Sequence, residues 1–238
     1  MENRFSVWSS DNSIGDAAPG RGCYSFRMIT DPNVDQYIRS LIPERDTVLQ
    51  EMEQRAEREH IPIIGPVVGT LLSQLALAIK AKRVAELGSA IGYSTIWLAQ
   101  AVAAGGTVLY TDGSAANAKD AAGYFDRAGL SKRIEIRVGD ALESFAKIPG
   151  EFDLIFNDVD KEGYPEVYRQ AAHRVRVGGF FVTDNALRRG RVADPAVPGE
   201  GEIKAVREFN FLLSGDPKFQ TTVLPLRDGV IVALRVRA

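Results

Sequence analysis

From Arg83 onward the apolar positions switch between two periods. Short, nearly continuous apolar runs of strand length fall at 84–87, 107–111, 134–138, 153–157 and 179–183. Between them, apolar residues recur at helical spacing over 93–104, 115–128, 141–147 and 164–175. Such alternation predicts parallel strands joined by helical crossovers. Three helices precede the first strand. Asp31-Pro32 is an N-cap followed by proline at the first helical position, and Val34, Tyr37, Ile38, Leu41 and Ile42 follow at helical spacing until Pro43. A charged, exposed helix is expected over 44–59. A more apolar one is expected over 67–80, with Leu71, Leu72, Leu75 and Ile79 on its buried side. After Gly199-Glu200-Gly201 comes one more helix, to about 213. Strands at 220–224 and 230–236 then join through Pro225-Leu226-Arg227-Asp228-Gly229, a hairpin loop. The expected fold is α/β: a doubly wound, mostly parallel seven-stranded sheet, an antiparallel C-terminal edge hairpin and extra N-terminal helices.

Residues 1–30 read as a loosely organised N-terminal extension, rich in turn chemistry at Ser9-Ser10-Asp11-Asn12-Ser13 and Pro19-Gly20-Arg21-Gly22. Its scattered aromatics Phe5, Trp8, Tyr24 and Phe26 are the one sign of an arm that covers a site or a partner. Residues 31–238 read as a single domain, without internal repeat or linker. A formal net charge of −2 gives no reason to expect a nucleic-acid or membrane partner. The single cysteine, Cys23, excludes an intrachain disulfide and a cysteine-based zinc site. With no apolar leader segment and no membrane-length stretch, the expected location is the cytoplasm.

The chemistry gathers where strands end. Asn157-Asp158-Val159-Asp160-Lys161 follows the apolar run Leu154-Ile155-Phe156, and Asp184-Asn185 follows Phe180-Phe181-Val182. Ligands of open α/β sheets bind at that edge. Two carboxylates, an amide and a lysine there suit a hard cation beside a base. The first strand-to-helix turn, Glu86-Leu87-Gly88-Ser89-Ala90-Ile91-Gly92-Tyr93-Ser94, lets the backbone approach a ligand closely. It lacks the dinucleotide fingerprint, because Ala90 and Tyr93 stand where glycine, or alanine at the second, is needed. A nicotinamide dehydrogenase is therefore disfavoured. Asp112 ends the second strand, placed for ribose hydroxyls, and Asp140 with Ala141 follows the third. For Asp140 alone, helix capping explains the residue as well as ligand binding does. Asp158 to Gly163 also mimics the start of a calcium loop, but Arg169 stands where a bidentate acid is required. His60 and His173 lack zinc-site spacing, and there is no nucleophile elbow or phosphate loop. Trp97, Leu98 and Phe125 read as core.

Taken together, Glu86 to Ser94, Gly139-Asp140-Ala141, Asp158 to Lys161 and Asp184-Asn185 resemble the cation-dependent class I O-methyltransferases, the caffeoyl-CoA and catechol O-methyltransferase-like enzymes. The likeness runs from about Ile29 to the C-terminus. It implies a Rossmann-like domain, S-adenosylmethionine as cofactor, a small hydroxylated acceptor and a homodimer. It further implies that Glu86, Gly88 and Ser94 line the methionine end of the cofactor. Asp112 would hold the ribose, Asp140 and Ala141 the adenine, and Asp160 would lie near the cofactor. Asp158, Asp184 and Asn185 would bind one divalent cation, with Lys161 as base. Plant-type members carry a Leu-Trp pair shortly after Asp-Asn. Here Ala186-Leu187-Arg188-Arg189-Gly190-Arg191 stands instead, which weakens the case for a flat phenylpropanoid.

Elementary chemistry agrees with these roles. A phenol of pKa about 10 is a poor nucleophile at neutral pH, and a cation stabilises its phenolate. Oxygen ligands suit magnesium first, with calcium or manganese as alternatives. A neighbouring cation and a sulfonium should lower the lysine pKa and make it a usable base. Arg188, Arg189 and Arg191 suit either an anionic acceptor group or a solvated loop. The following loop, 192–201, reads as a lid. Besides a catechol-like vicinal diol acceptor, two alternatives stay open: a non-catechol acceptor with the metal only organising the pocket, and a cofactor-binding protein without turnover.

Overall fold

A computed structural model of the chain describes residues 29–238. Cys23 and the aromatics Phe5, Trp8, Tyr24 and Phe26 lie outside the described residues. Helices α1 (Pro32–Ser40), α2 (Thr47–Glu59) and α3 (Gly65–Ala78) lead in. Asp31 caps α1 by accepting from the Asn33 N–H at 2.8 Å, and Pro32 follows where no N–H is needed. Asp46 caps α2, accepting from the Leu49 N–H at 2.9 Å, so this helix starts later than its charged sequence suggests. Nor is α2 simply exposed: Val48, Leu49, Met52 and Ala56 are buried along one face. Conversely, α1 leaves Val34, Tyr37 and Leu41 in solvent. On α3, Val68, Leu72 and Ala76 take the deepest positions, and Leu71, Leu75 and Ile79 pack half-buried beside them.

The strands are β1 (Arg83–Leu87), β2 (Thr107–Asp112), β3 (Ile134–Val138), β4 (Phe152–Asn157), β5 (Val175–Thr183), β6 (Phe219–Leu224) and β7 (Val230–Arg235). They form one seven-stranded sheet in the order β3-β2-β1-β4-β5-β7-β6. All pairings through β5 are parallel, and β7 and β6 close the edge antiparallel. Helices α4 (Tyr93–Ala101), α5 (Ala115–Arg127), α6 (Ala141–Ala146), α7 (Tyr164–Ala171) and α8 (Gly201–Gly215) complete the chain. Consecutive strand residues serve two cores. Val84, Leu154 and Phe156 face α2 to α5, while Ala85, Leu87 and Ile155 face α6 to α8. Burial on both faces is why these strands read as unbroken apolar runs. Leu98 and Phe125 are buried in the first core, and Trp97 is half-buried against it.

Several boundaries differ from expectation. The helix after β4 stops at Ala171, a 3-10 turn covers Ala172–Arg174, and β5 begins at Val175 rather than 179. Gly178-Gly179 interrupt the apolar pattern, but the strand passes through them by an irregularity in its pairing between Phe152 and Leu154. At Gly179 a Cβ would lie 2.5 Å from the Asp153 carbonyl oxygen, so only glycine fits. Helix α4 likewise ends at Ala101, because Val102 is extended.

Register then places the site. Leu87 pairs with Asn157, and Asn157 with Thr183. The residues that follow, Gly88, Asp158 and Asp184, therefore emerge level with one another on the same edge. Strand order reverses between β1 and β4, the position where open α/β sheets bind ligands.

Candidate active site

A cleft of about 1940 Å³ opens along this edge. On its β1–β3 side it is bordered by Gly88, Ser94, Asp112, Asp140 and Ala141. On the β4–β5 side Asp158, Asp160, Lys161, Asp184 and Asn185 border it. Glu86 does not line the cleft; it lies completely buried on β1, just before the glycine turn.

Gly88 is held at φ +81, where a Cβ would sit 2.6 Å from the Asp158 carbonyl oxygen. Glycine there lets the first turn nest against the tip of β4. The Glu86 carboxylate accepts from the Thr95 hydroxyl through one oxygen, while its Oε1 is buried without a hydrogen bond. Burial pushes this carboxyl up to about 7, against the opposing pull of the Ser94, Thr95 and Ser89 hydroxyls. An unpaired buried acceptor beside a cleft has capacity for a donor or cation. Asp112 is more occupied than a ribose ligand alone requires. It accepts from the Ala90 and Ser114 N–H groups, each at 2.8 Å, and from Asn117 Nδ2 at 3.0 Å. It thus ties the first and second strand tips together and still borders the cleft. Asp140 caps α6, accepting from the Glu143 N–H at 2.8 Å, so capping and cleft placement hold at once.

On the other side, Lys161 Nζ donates to Asp158 Oδ1 at 2.7 Å and to the Val159 carbonyl at 3.2 Å. It also lies 5.2 Å from the centre of the Tyr164 ring. Burial raises the Asp158 carboxyl, and the Lys161 charge opposes that rise. Burial and then the neighbouring Asp158 charge raise Asp184, whose Oδ1 is buried and unpartnered. The Asp184 carbonyl accepts from the Tyr164 hydroxyl at 2.8 Å. Two mutually repelling carboxylates, one with an orphan oxygen, and the amide of Asn185 form an all-oxygen donor set that fits magnesium, calcium or manganese. Among the described residues there is no cluster of three or more His, Cys, Asp or Glu side chains at metal spacing.

The loop after β5 is pinned by the hairpin. The Ala186 and Leu187 N–H groups donate to the Gly229 and Asp228 carbonyls at 2.8 and 2.9 Å. Arg188 pairs with Glu202 at 2.5 Å and Asp228 at 3.5 Å, and Arg191 pairs with Glu202 at 3.1 Å. The Arg189 N–H donates to the Asp228 carboxylate. Arg188 and Arg191 are therefore committed to internal carboxylates. Asn185, Arg188, Arg189 and Arg227 all adopt positive φ, between 44 and 56°. Such strain in non-glycine residues gathers at functional sites. Asp194, Ala196, Val197 and Pro198 of the expected lid border the cleft. Sequence reasoning missed Tyr164, Thr95 and Arg227. Thr95 and Tyr164 stand beside recognised motifs, but each lies on a helix and meets its partner, Glu86 on β1 or Asp184 just after β5, only in the folded chain. Arg227 sat in what reads as an ordinary turn.

The sequence pattern of the O-methyltransferase family matches residues 41–236. A catechol O-methyltransferase of Niastella koreensis is 32% identical over 213 residues, which is 85% of this chain and 96% of that enzyme. The O-methyltransferase of Bacillus cereus, solved with S-adenosylhomocysteine, superposes with a TM-score of 0.77 at 30% identity, covering 85% of this chain and 97% of that one. TomG of Streptomyces achromogenes, an O-methyltransferase of tomaymycin synthesis solved with S-adenosylmethionine, gives 0.78 at 30% identity, covering 86% and 96%. With a matching pattern over most of its length and the same overall fold as solved members, the chain belongs to the O-methyltransferase family and is an S-adenosylmethionine-dependent O-methyltransferase.

Proposed function

We propose that the chain methylates a hydroxyl of a small catechol-like acceptor, a vicinal diol, with one divalent cation held by Asp158, Asp184 and Asn185. Magnesium is the first choice of cation. The observation that carries this reading is the arrangement at the tips of β4 and β5: Lys161 Nζ lies 2.7 Å from Asp158, and an orphan Asp184 oxygen borders the same cleft. When bound, S-adenosylmethionine supplies an electrophilic methyl on a sulfonium and the cation stabilises an acceptor oxyanion.

The chain's own residues do the rest. With its own proton lost to solvent beside the cation and sulfonium charges, the neutral Lys161 amine would accept the acceptor's hydroxyl proton at Nζ, and Asp158 would stabilise the resulting ammonium. Glu86 offers its free buried oxygen to the positively charged methionine end of the cofactor, beside Gly88 and Ser94. Asp112 takes the ribose hydroxyls with its remaining acceptor capacity, Asp140 and Ala141 border the adenine, and Asp160 lies near the cofactor. Holding acceptor and donor in line is the main contribution, and positioning of this kind supplies roughly 7–11 kcal/mol in favourable cases. The working unit is a homodimer. Support comes from α1, whose Val34, Tyr37 and Leu41 are 48, 56 and 63% exposed.

Methyl transfer to simple catechols, followed by mass spectrometry, tests the reaction. It should require S-adenosylmethionine, stop on chelation and resume with added magnesium. Turnover that persists in chelator would remove the cation from the chemistry. Tight binding of S-adenosylhomocysteine without turnover of any diol would leave a binding protein.

A further inference from the structure

Arg227 stands apart from the other arginines at the cleft. Its Nη1 is buried without a hydrogen-bond partner, as is Nε of Arg188, but among the described residues no carboxylate pairs with the Arg227 guanidinium. Arg188 and Arg191, by contrast, are held by Glu202. A guanidinium nitrogen removed from water without an acceptor is destabilising, which makes it a site awaiting one. The backbone agrees, because Arg227 sits at φ 52, where glycine would be relaxed and arginine is strained.

Two further observations say what the missing partner is. First, the guanidinium packs on the start of α3: its Cζ, Nε and Nη1 lie 3.9 Å from where a Cβ on Gly65 would be. That fourteen-residue helix has no side-chain cap, so its N-terminal N–H groups and dipole add positive potential beside the arginine. Second, Arg227 borders both the main cleft and a neighbouring hollow of about 880 Å³, which Pro62, Gly65 and Pro66 also line. Asp158 and Asp184 of the proposed cation site line the same cleft.

We propose that Arg227, with the uncapped start of α3, binds an oxyanion of the methyl acceptor, so that the substrates are hydroxylated aromatic acids rather than neutral catechols. The proposal rests on the methyl-transfer reading for the hydroxyl end and on Arg227 for the acidic end. A carboxylate meets a guanidinium in paired, charge-assisted hydrogen bonds, a geometry that an ester or a bare ring cannot provide.

The test compares 3,4-dihydroxybenzoate and caffeate with their own methyl esters, using the full chain with S-adenosylmethionine and magnesium. The acid should exceed its ester in kcat/KM by about tenfold or more, the scale of one charge-assisted contact. In Arg227→Gln and Arg227→Gly that ratio should fall at least tenfold, and Arg227→Lys should recover part of it. The ratio within each variant cancels any general loss of fold or cation. Calorimetric titration of the four compounds into the S-adenosylhomocysteine complex gives the same ratio as Kd, without turnover. Esters accepted as well as acids, or a ratio unmoved by both charge-removing variants, overturn the proposal. Turnover of esters and catechol alone overturns it and leaves the methyltransferase reading standing. Arg227-dependent binding of the acids without turnover of any diol does the reverse. If nothing binds and nothing turns over, both fall.

Discussion

Glu86 shows how a single buried side chain beside the cleft carries a stability cost. Its carboxyl titrates near 7 in the fold, against an ordinary glutamate value of 4.5. The folded state therefore holds a proton that the unfolded chain releases. Stability from this group is fully present below about pH 4.5 and is lost as pH rises through about 7. At roughly 1.4 kcal/mol per pH unit the loss is about 3 kcal/mol. Glu86→Gln should therefore be more stable than the native chain at pH 8, by on the order of 2–3 kcal/mol, and nearly equal at pH 5. Denaturant unfolding at the two pH values measures it, and equal stability at pH 8 would contradict the burial argument. The same variant should bind S-adenosylhomocysteine more weakly at pH 8. Lys161→Ala should lower kcat by about 10²–10⁴-fold with cofactor affinity maintained. Lys161→Arg should fail as well, because a guanidinium keeps the charge but does not release its proton. Activity in the arginine variant would mean that the charge alone suffices. The lysine and the acids were readable from sequence, each following a buried strand. The Thr95 hydroxyl on Glu86 and the Tyr164 hydroxyl on the Asp184 carbonyl were not, because they join residues on different elements.

Among elements, the turn after β1 and the hairpin between β6 and β7 decide the precision of the site. Gly88→Ala combines φ +81 with a contact of 2.6 Å to backbone at Asp158, which cannot swing aside as a side chain would. The left-handed conformation alone costs roughly 1–2 kcal/mol, and the clash adds to it. The variant should lose at least about 2 kcal/mol in denaturant unfolding and weaken both cofactor and cation binding. Arg227→Gly should act oppositely on the fold, gaining up to about 1 kcal/mol by relaxing φ 52 while losing preference for acids. A more stable, less selective enzyme is the trade expected where strain serves binding. The strands, helices and hairpin follow from periodicity. The extended start of β5 did not, since Gly178-Gly179 resemble a break until the pairing irregularity opposite Asp153 is seen.

For the whole molecule, a cofactor that binds only the folded state must raise its stability. At one hundred times Kd, S-adenosylhomocysteine should add about 2.7 kcal/mol, and thermal unfolding should shift upward accordingly. NAD should produce no shift. The exposed apolar stripe of α1 carries the dimer reading: Tyr37→Glu with Leu41→Glu should turn a dimer into a monomer in light scattering coupled to size exclusion. A chain that is monomeric before mutation would refute the dimer. Among the described residues no helix is long and apolar enough to cross a membrane.

Local pattern determined the order of elements here, because burial on both sheet faces writes apolar runs into β1, β2, β4 and β5, and acids stand at or within two residues of the ends of β2, β3, β4 and β5. From that order came the sheet type, the binding edge and the acids at 112, 140, 158 and 184. Which charges remain free at that edge was a tertiary matter. Arg188, Arg189, Arg191 and Arg227 are alike in sequence, and only the approach of Glu202 on α8 and of Asp228 neutralises Arg188 and Arg191, whereas the guanidinium of Arg227 lands beside Gly65 and has no carboxylate paired with it. Electrostatic pairing depends on distances across elements far apart in the chain, and no local spacing encodes them.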